Sequence, residues 1–134
     1  MRRVEGLAEI VLWVHDIDAA LHFYGEGFGL ELISPPEFPN KFLRAGHGRD
    51  GIPETIVLVP HPDTSYEFPR EKTKRVLHHM AFRVEAKAYD ELQLHFMSEG
   101  VEVRTGVHPV LKGARTFYVD DPDGNEVEVI SPAS

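Results

Sequence analysis

The chain contains the same succession of elements twice, and this internal repeat restricts its fold more than any other feature. Each half has the pattern of a strand, a helix and three further strands. Val84 ends the first strand pattern of the second half and lies 70 positions after Val14, its counterpart. The segment Gly29-Leu30-Glu31-Leu32 corresponds to Gly100-Val101-Glu102-Val103 at an offset of 71. The repeat predicts an α+β protein of two tandem βαβββ modules forming a curved mixed sheet or half-barrel cup.

The first module is predicted to span residues 5–60. Asp16 has the features of a helix N-cap, and Gly29 is suited to the position after the helix C-terminus. Apolar residues at helical spacing lie between them. The strands are predicted at Leu7–Val14, Leu30–Ser34, Lys41–Ala45 and Glu54–Val59, with a glycine-rich turn at 46–51.

A linker at 61–75 is predicted from its content of Pro, Asp, Lys and Glu, and the second module follows at 76–131. Its helix has an apolar stripe that includes Phe96 and ends at Gly100. The last two strands form a hairpin around the turn Asp121-Pro122-Asp123-Gly124. The other strands are predicted at Val76–Val84 and Val101–Arg104, with a loop from Val107 to Gly113.

Length and composition exclude several classes of protein. A chain of 134 residues fits one domain, here 1–134. The chain has no cysteine, so a metal would have to bind histidine and carboxylate side chains. The net charge of −8 argues against a nucleic-acid partner. No apolar run is long enough to cross a membrane, and the N-terminus lacks a secretory signal pattern, which predicts a cytoplasmic protein.

The same offset relates polar residues in the predicted strands. It maps Glu9 onto His79 and Leu58 onto Glu128, so three of four related positions carry a side chain that can bind a metal. Glu128 is unusual because it lies in the middle of a strand on the face of Ile130. If these strand faces are concave, Glu9, His79 and Glu128 can converge.

The two-residue period of a strand extends this face to two further side chains. Trp13 follows Glu9 on the first strand, and Arg83 follows His79 on the fifth. An inward-facing arginine needs an anionic partner, such as a substrate carboxylate or phosphate or an internal glutamate. His78, the neighbour of His79, is expected on the opposite face.

The chain resembles the vicinal oxygen chelate superfamily, which includes glyoxalase I, extradiol dioxygenases and bleomycin resistance proteins. The resemblance covers nearly the whole chain and rests on three stretches: IVLWVHDIDAALHFYGEGFGLEL, HHMAFRV and FYVDDPDGNEVEV. It implies a glyoxalase-like fold and a small-molecule substrate or ligand. It also implies a homodimer, since relatives of this size usually pair and the sheet edges need covering.

The resemblance also implies roles for single residues. The metal positions of the family fall on Glu9, His79 and Glu128, with Leu58 at the fourth position. A divalent ion such as Zn, Ni, Mn or Fe is implied. Tyr118 lies where extradiol dioxygenases have an active-site tyrosine, and Lys112 resembles the lysine of a glyoxalase substrate loop.

Two classes of function follow from these residues. The first is a metal-dependent enzyme on a small oxygen-rich substrate, with lyase or isomerase chemistry through a metal-stabilised enediolate. Glu128 and Tyr118 would be catalytic, and Arg83, Trp13 and Lys112 would bind substrate. Ring-cleaving dioxygenase activity is the alternative among enzymes. The second class is a metal-free binding protein of the bleomycin resistance type, in which Glu9 and Glu128 lie apart or pair with Arg83.

Overall fold

The computed structural model describes residues 1–133 and divides the chain into two compact units. The first is Met1–Tyr66 and the second begins at Glu67, so the division lies within the predicted linker. Each unit contains one four-stranded mixed sheet and one main helix. The prediction of an α+β fold with two βαβββ modules is confirmed.

The first unit contains β1 (Glu9–Val14), α1 (Ile17–Leu21), β2 (Glu31–Leu32), β3 (Lys41–Arg49) and β4 (Ile52–Pro60). Its sheet has the order β1-β4-β3-β2, with β1 and β4 parallel. The predicted cap is confirmed, because the amides of Asp18 and Ala19 donate to Asp16 Oδ1 at 3.0 and 3.1 Å. A π-helical stretch, His22–Gly27, continues α1, and Gly29 follows it with a φ of 75°.

The second unit contains β5 (Met80–Arg83), α2 (Ala86–Ser98), β6 (Arg104–Val107), β7 (Arg115–Asp120) and β8 (Glu126–Ser131). Its sheet has the equivalent order β5-β8-β7-β6, with β5 and β8 parallel. The predicted hairpin is confirmed as β7 and β8, with Asp121 Oδ1 accepting from the amides of Asp123 and Asn125 in the turn. A short 3-10 turn, Lys72–Lys74, precedes β5.

The core of each unit lies between its helix and one face of its sheet. In the first unit Tyr24 and Val14 are fully buried. In the second unit Tyr89 donates to the carbonyl oxygen of Thr116 at 3.0 Å and packs edge-on against Phe117. This contact joins α2 to β7 and fixes which face of the second sheet the helix covers.

Three predicted strands differ from the structure by more than two residues at an end, and each difference has a local cause. β3 continues to Arg49 through the glycine-rich segment because register shifts near Gly46 accommodate the extra residues. β6 begins at Arg104, since the amide of Val101 still bonds the Phe96 carbonyl of the helix end. β5 begins at Met80 instead of Val76, because pairing with β8 begins there.

Neither helix in residues 1–133 combines the length and apolar character that a membrane span requires.

Candidate functional site

Glu128 lies in the middle of β8, where both neighbouring strands cover it. Its register partners are Tyr118 on β7 and Ala81 on β5. Only 3% of its surface is exposed, and the flanking Val127 and Val129 are fully buried. A carboxylate at such a position must be stabilised by hydrogen bonds, an opposite charge or a metal ion.

His79 supplies one partner for this carboxylate. It precedes β5, and its Nε2 lies 3.0 Å from Glu128 Oε1. Glu128 Oε2 is buried and has no hydrogen-bond partner. Two ligand atoms that each lie about 2.1 Å from one ion at a right angle are about 3.0 Å apart. The 3.0 Å spacing is that of a hydrogen bond, and it also equals the separation of two such ligands. Together with the unpartnered oxygen, it is compatible with a divalent metal ion at this pair.

His78 lies beside His79, whereas we expected it on the opposite face. The Nδ1 atoms of the two rings are 2.7 Å apart, so one imidazole donates a hydrogen bond to the other. Together with Glu126, the two histidines offer three ligand atoms within 4.8 Å of one another. The His-His doublet was visible in the sequence, but strand alternation alone placed its first member on the wrong side, because His78 and His79 precede the paired part of β5.

Glu126 differs from Glu128 because cations already compensate its charge. It accepts hydrogen bonds from Lys72 and from Arg104, the latter at 3.1 Å. Burial opposes its ionisation, but these two partners outweigh burial and lower the pKa of Glu126 below its ordinary value. A metal ion at Glu126 would have to displace these cations, so the unpartnered oxygen of Glu128 is the better ligand.

Tyr118 shares the sheet face of Glu128, as their direct register pairing requires. Its ring centroid lies 6.0 Å from that of His79. Burial, followed by the negative charge of Glu128, raises the pKa of the Tyr118 hydroxyl above 10.0. The hydroxyl is therefore protonated at neutral pH and able to donate a hydrogen bond.

In the first unit, the strand register corrects the predicted role of Leu58. Leu58 pairs with Leu12, and both are buried, whereas Glu9 and Val11 share the opposite, exposed face of β1. The partner of Val11 is Val57. Since Ala81 pairs with Glu128 in the second unit, Val57 is the counterpart of Glu128. The fourth position is apolar as predicted, but Val57 occupies it.

The other candidate residues have exposed side chains. Glu9 lies at the start of β1, and Trp13 is 53% exposed on the same face and packs against His61 with ring centroids 5.1 Å apart. Arg83 is exposed at the end of β5, and Lys112 is exposed in the loop between β6 and β7. The structure thus brings together His79, Glu128 and Tyr118 in the second unit. The roles of Glu9, Trp13, Arg83 and Lys112 stay predictions.

Comparison with known proteins agrees with this architecture. The family model described as Glyoxalase/Bleomycin resistance protein/Dioxygenase superfamily matches residues 6–129. A glyoxalase family protein from Bacillus anthracis is 25% identical with a TM-score of 0.70, covering 98% of this chain and 99% of its own. Lactoylglutathione lyase from Agrobacterium tumefaciens is 26% identical with a TM-score of 0.65, covering 97% and 96%.

A fosfomycin resistance protein from Listeria monocytogenes has the same fold, with 24% identity, a TM-score of 0.67 and coverage of 96% and 94%. Fold and site together define a tandem βαβββ protein with a buried carboxylate beside a histidine. The chain belongs to the glyoxalase/bleomycin resistance protein/dioxygenase superfamily.

Proposed function

We propose that this protein is a metal-dependent enzyme that acts on a small oxygen-rich substrate by lyase or isomerase chemistry. The observation that carries the proposal is the Glu128 carboxylate, buried beside His79 with one oxygen unpartnered. His79 and Glu128 would hold the divalent ion, and Glu9 is the third ligand that the family resemblance implies. An imidazole and carboxylates suit Zn, Ni, Mn or Fe.

The bound ion would act as a Lewis acid on two neighbouring oxygens of the substrate. Glu128 would serve as the base that takes a proton from the substrate, because it lies at the site itself. Tyr118 keeps its proton at neutral pH and would donate a hydrogen bond to a substrate oxygen. Arg83, Trp13 and Lys112 have exposed side chains with which substrate would make contact.

The metal content of protein purified without chelator tests this proposal. We expect about one divalent ion per chain in the wild-type protein and a loss of most of it in Glu128→Gln. Glu126→Gln is the matched control, because it removes a nearby carboxylate whose charge Lys72 and Arg104 compensate. Equal metal content in the wild-type protein and Glu128→Gln would contradict the proposal.

If the protein were a metal-free binding protein, these residues would have a different environment. In that alternative Glu9 and Glu128 lie apart or pair with Arg83. Arg83 forms no ion pair within residues 67–133, and Glu128 lies beside His79. The contact between His79 and Glu128 and the unpartnered Oε2 of Glu128 favour the metal-dependent enzyme. An activity screen of the metal-loaded protein would begin with small dicarbonyl compounds and continue with catechols, the substrates of the dioxygenase alternative.

We also propose that the protein is a homodimer. β1 and β5 are edge strands of their sheets, and unpaired strand edges in natural proteins are usually covered. Light scattering after size-exclusion chromatography should give twice the chain mass of 15.1 kDa. A single-chain mass at micromolar concentration would exclude a stable dimer.

A further inference from the structure

The second unit contains a pocket of about 180 Å³ next to the candidate metal ligands. Four cationic side chains line it, although the protein as a whole has a net charge of −8. They are Arg70, Lys72, Arg75 and Arg104. Such a local concentration of positive charge in an acidic protein indicates that the pocket receives a negatively charged group.

The carboxylates of the pocket neutralise only part of this charge. Arg104 forms ion pairs with Asp120 at 2.9 Å and Glu126 at 3.1 Å, and Lys72 pairs with the same Glu126. Burial disfavours the charged form of Arg104, but these two carboxylates outweigh it and raise the pKa of Arg104 further. Two cations and two anions therefore compensate one another.

The remaining two cations have no carboxylate partner in the part of the chain that the structure describes. Arg75 donates to the carbonyl oxygens of Pro69 and Asp123 and to Asn125 Oδ1, all of which are neutral acceptors. Its guanidinium has more N–H groups than these three acceptors use. Arg70 is exposed and forms no ion pair there. The pocket thus has an excess of positive charge and spare hydrogen-bond donors.

His78 connects this pocket with the candidate metal site. It lines the pocket, and its Nδ1 lies 2.7 Å from His79 Nδ1. His79 in turn lies beside Glu128. One small molecule could therefore place an anionic group among the arginines while its neighbouring oxygens lie near His79 and Glu128.

We propose that this pocket binds an oxyanion group of the substrate, a phosphate, phosphonate or carboxylate, and that Arg70 determines the specificity for such substrates. The assignment of the anion to a substrate rests on the proposed function. The binding of an anion by the pocket does not depend on a metal, because none of the four cations belongs to the His79–Glu128 pair.

Titration of the metal-free protein with inorganic phosphate, followed by calorimetry at constant ionic strength in sodium chloride, tests the pocket. A parallel titration with acetate separates a preference for phosphoryl groups from a preference for carboxylates. We expect Arg70→Ala to weaken binding of the preferred anion about tenfold, the effect of one charge-assisted hydrogen bond. Lys74→Ala is the matched control, since it removes an exposed cation of the same segment outside the pocket and should change binding less than about twofold.

The absence of binding of either anion above chloride would overturn the inference, and so would equal weakening by Arg70→Ala and Lys74→Ala. Full binding in Arg70→Ala would overturn the role of Arg70, and full binding in Arg75→Gln as well would overturn the pocket. The last variant removes the second uncompensated charge. Glu128→Gln should lose metal yet bind phosphate as the wild-type protein does. A protein that holds metal but binds no anion would contradict only the assignment of the pocket as an anion site. A protein that binds the anion but no metal would contradict only the proposed function.

Discussion

The guanidinium of Arg75 packs directly against Gly124, so that a β-carbon on Gly124 would lie 2.6 Å from Arg75 Nη2. Arg75 Nε also donates to the carbonyl of Pro69 at 2.8 Å, and Nη1 donates to Asn125 Oδ1 at 3.1 Å. These contacts join the segment before β5 to the turn between β7 and β8. The attachment holds Arg75 at the pocket, beside the start of β8, the strand that carries Glu126 and Glu128.

Gly124→Ala should therefore destabilise the protein more than Gly100→Ala does. Both glycines have a positive φ, 84° and 78°, which costs an alanine about 1–2 kcal/mol. A β-carbon on Gly100 would meet no atom within 4 Å, whereas one on Gly124 displaces Arg75. Each hydrogen bond of Arg75 that is lost should add about 1 kcal/mol. Urea denaturation of the two variants measures the difference.

The double variant Gly124→Ala with Arg75→Ala provides the control for this contact. If displacement of Arg75 causes the extra loss, the two substitutions should be clearly less than additive. Additive free energies of unfolding, or equal losses in the two glycine variants, would show that Arg75 has no part in the effect.

The strand register predicts a contrast between two neighbouring positions in β4. Leu58→Glu should lower the free energy of unfolding by several kcal/mol, because it places a carboxylate in the core of the first unit. Val57 is also buried, but it lies on the face of Glu9, so Val57→Glu introduces a carboxylate at the counterpart of the equally buried Glu128. Thermal unfolding is measured with and without divalent metal. We expect metal to raise the unfolding temperature more in Val57→Glu than in the wild-type protein. Metal should not recover the stability that Leu58→Glu loses. Equal responses of both variants to metal would contradict this assignment.

The ion pairs of Glu126 predict how stability depends on pH. Its folded-state pKa lies below the ordinary 4.5, so the ionised carboxylate stabilises the fold above that value. This contribution is lost as the pH falls through the lower, folded-state pKa. The free energy of unfolding of the wild-type protein should therefore approach that of Glu126→Gln as the pH falls below about 4.5.

Urea denaturation at a series of pH values measures the difference in free energy of unfolding between the wild-type protein and Glu126→Gln. Glu91→Gln is a suitable control, since Glu91 is exposed and lies 3.9 Å from Lys87. The difference in free energy of unfolding between Glu91→Gln and the wild-type protein should stay small at every pH. If the difference for Glu126→Gln does not change with pH, the ion pairs of Glu126 contribute nothing to the free energy of folding.

The raised pKa of Tyr118 can be observed by alkaline titration. The absorbance of tyrosinate, compared between the wild-type protein and Tyr118→Phe, isolates the component of Tyr118 among the four tyrosines. We expect its midpoint above 10.0, and a lower midpoint in Glu128→Gln, because that substitution removes the nearby negative charge. Circular dichroism confirms that the variants are folded at the titration end point. An unchanged midpoint in Glu128→Gln would show that the charge of Glu128 has no effect on the pKa of the Tyr118 hydroxyl.

Much of the candidate site in the second unit could be predicted from the sequence, since strand alternation and the hairpin turn are local signals. Glu128 was recognisable as a carboxylate in a strand, and the offset of the repeat related it to the first module. The arginine pocket was not predicted. Its cations come from the linker and from β6, and only the tertiary structure shows that these segments meet at the β7–β8 turn.

The tandem βαβββ order could be predicted from the sequence, and so could the choice of candidate ligands, because periodicity, caps and turns depend on residues that are close along the chain. The strand pairing in the fold showed that Val57, and not Leu58, corresponds to Glu128, and the folded chain places His78 against His79. A shift of one residue in strand pairing exchanges the two faces of a strand. That register depends on the partner strand, which lies far away in the sequence, so local patterns cannot decide it.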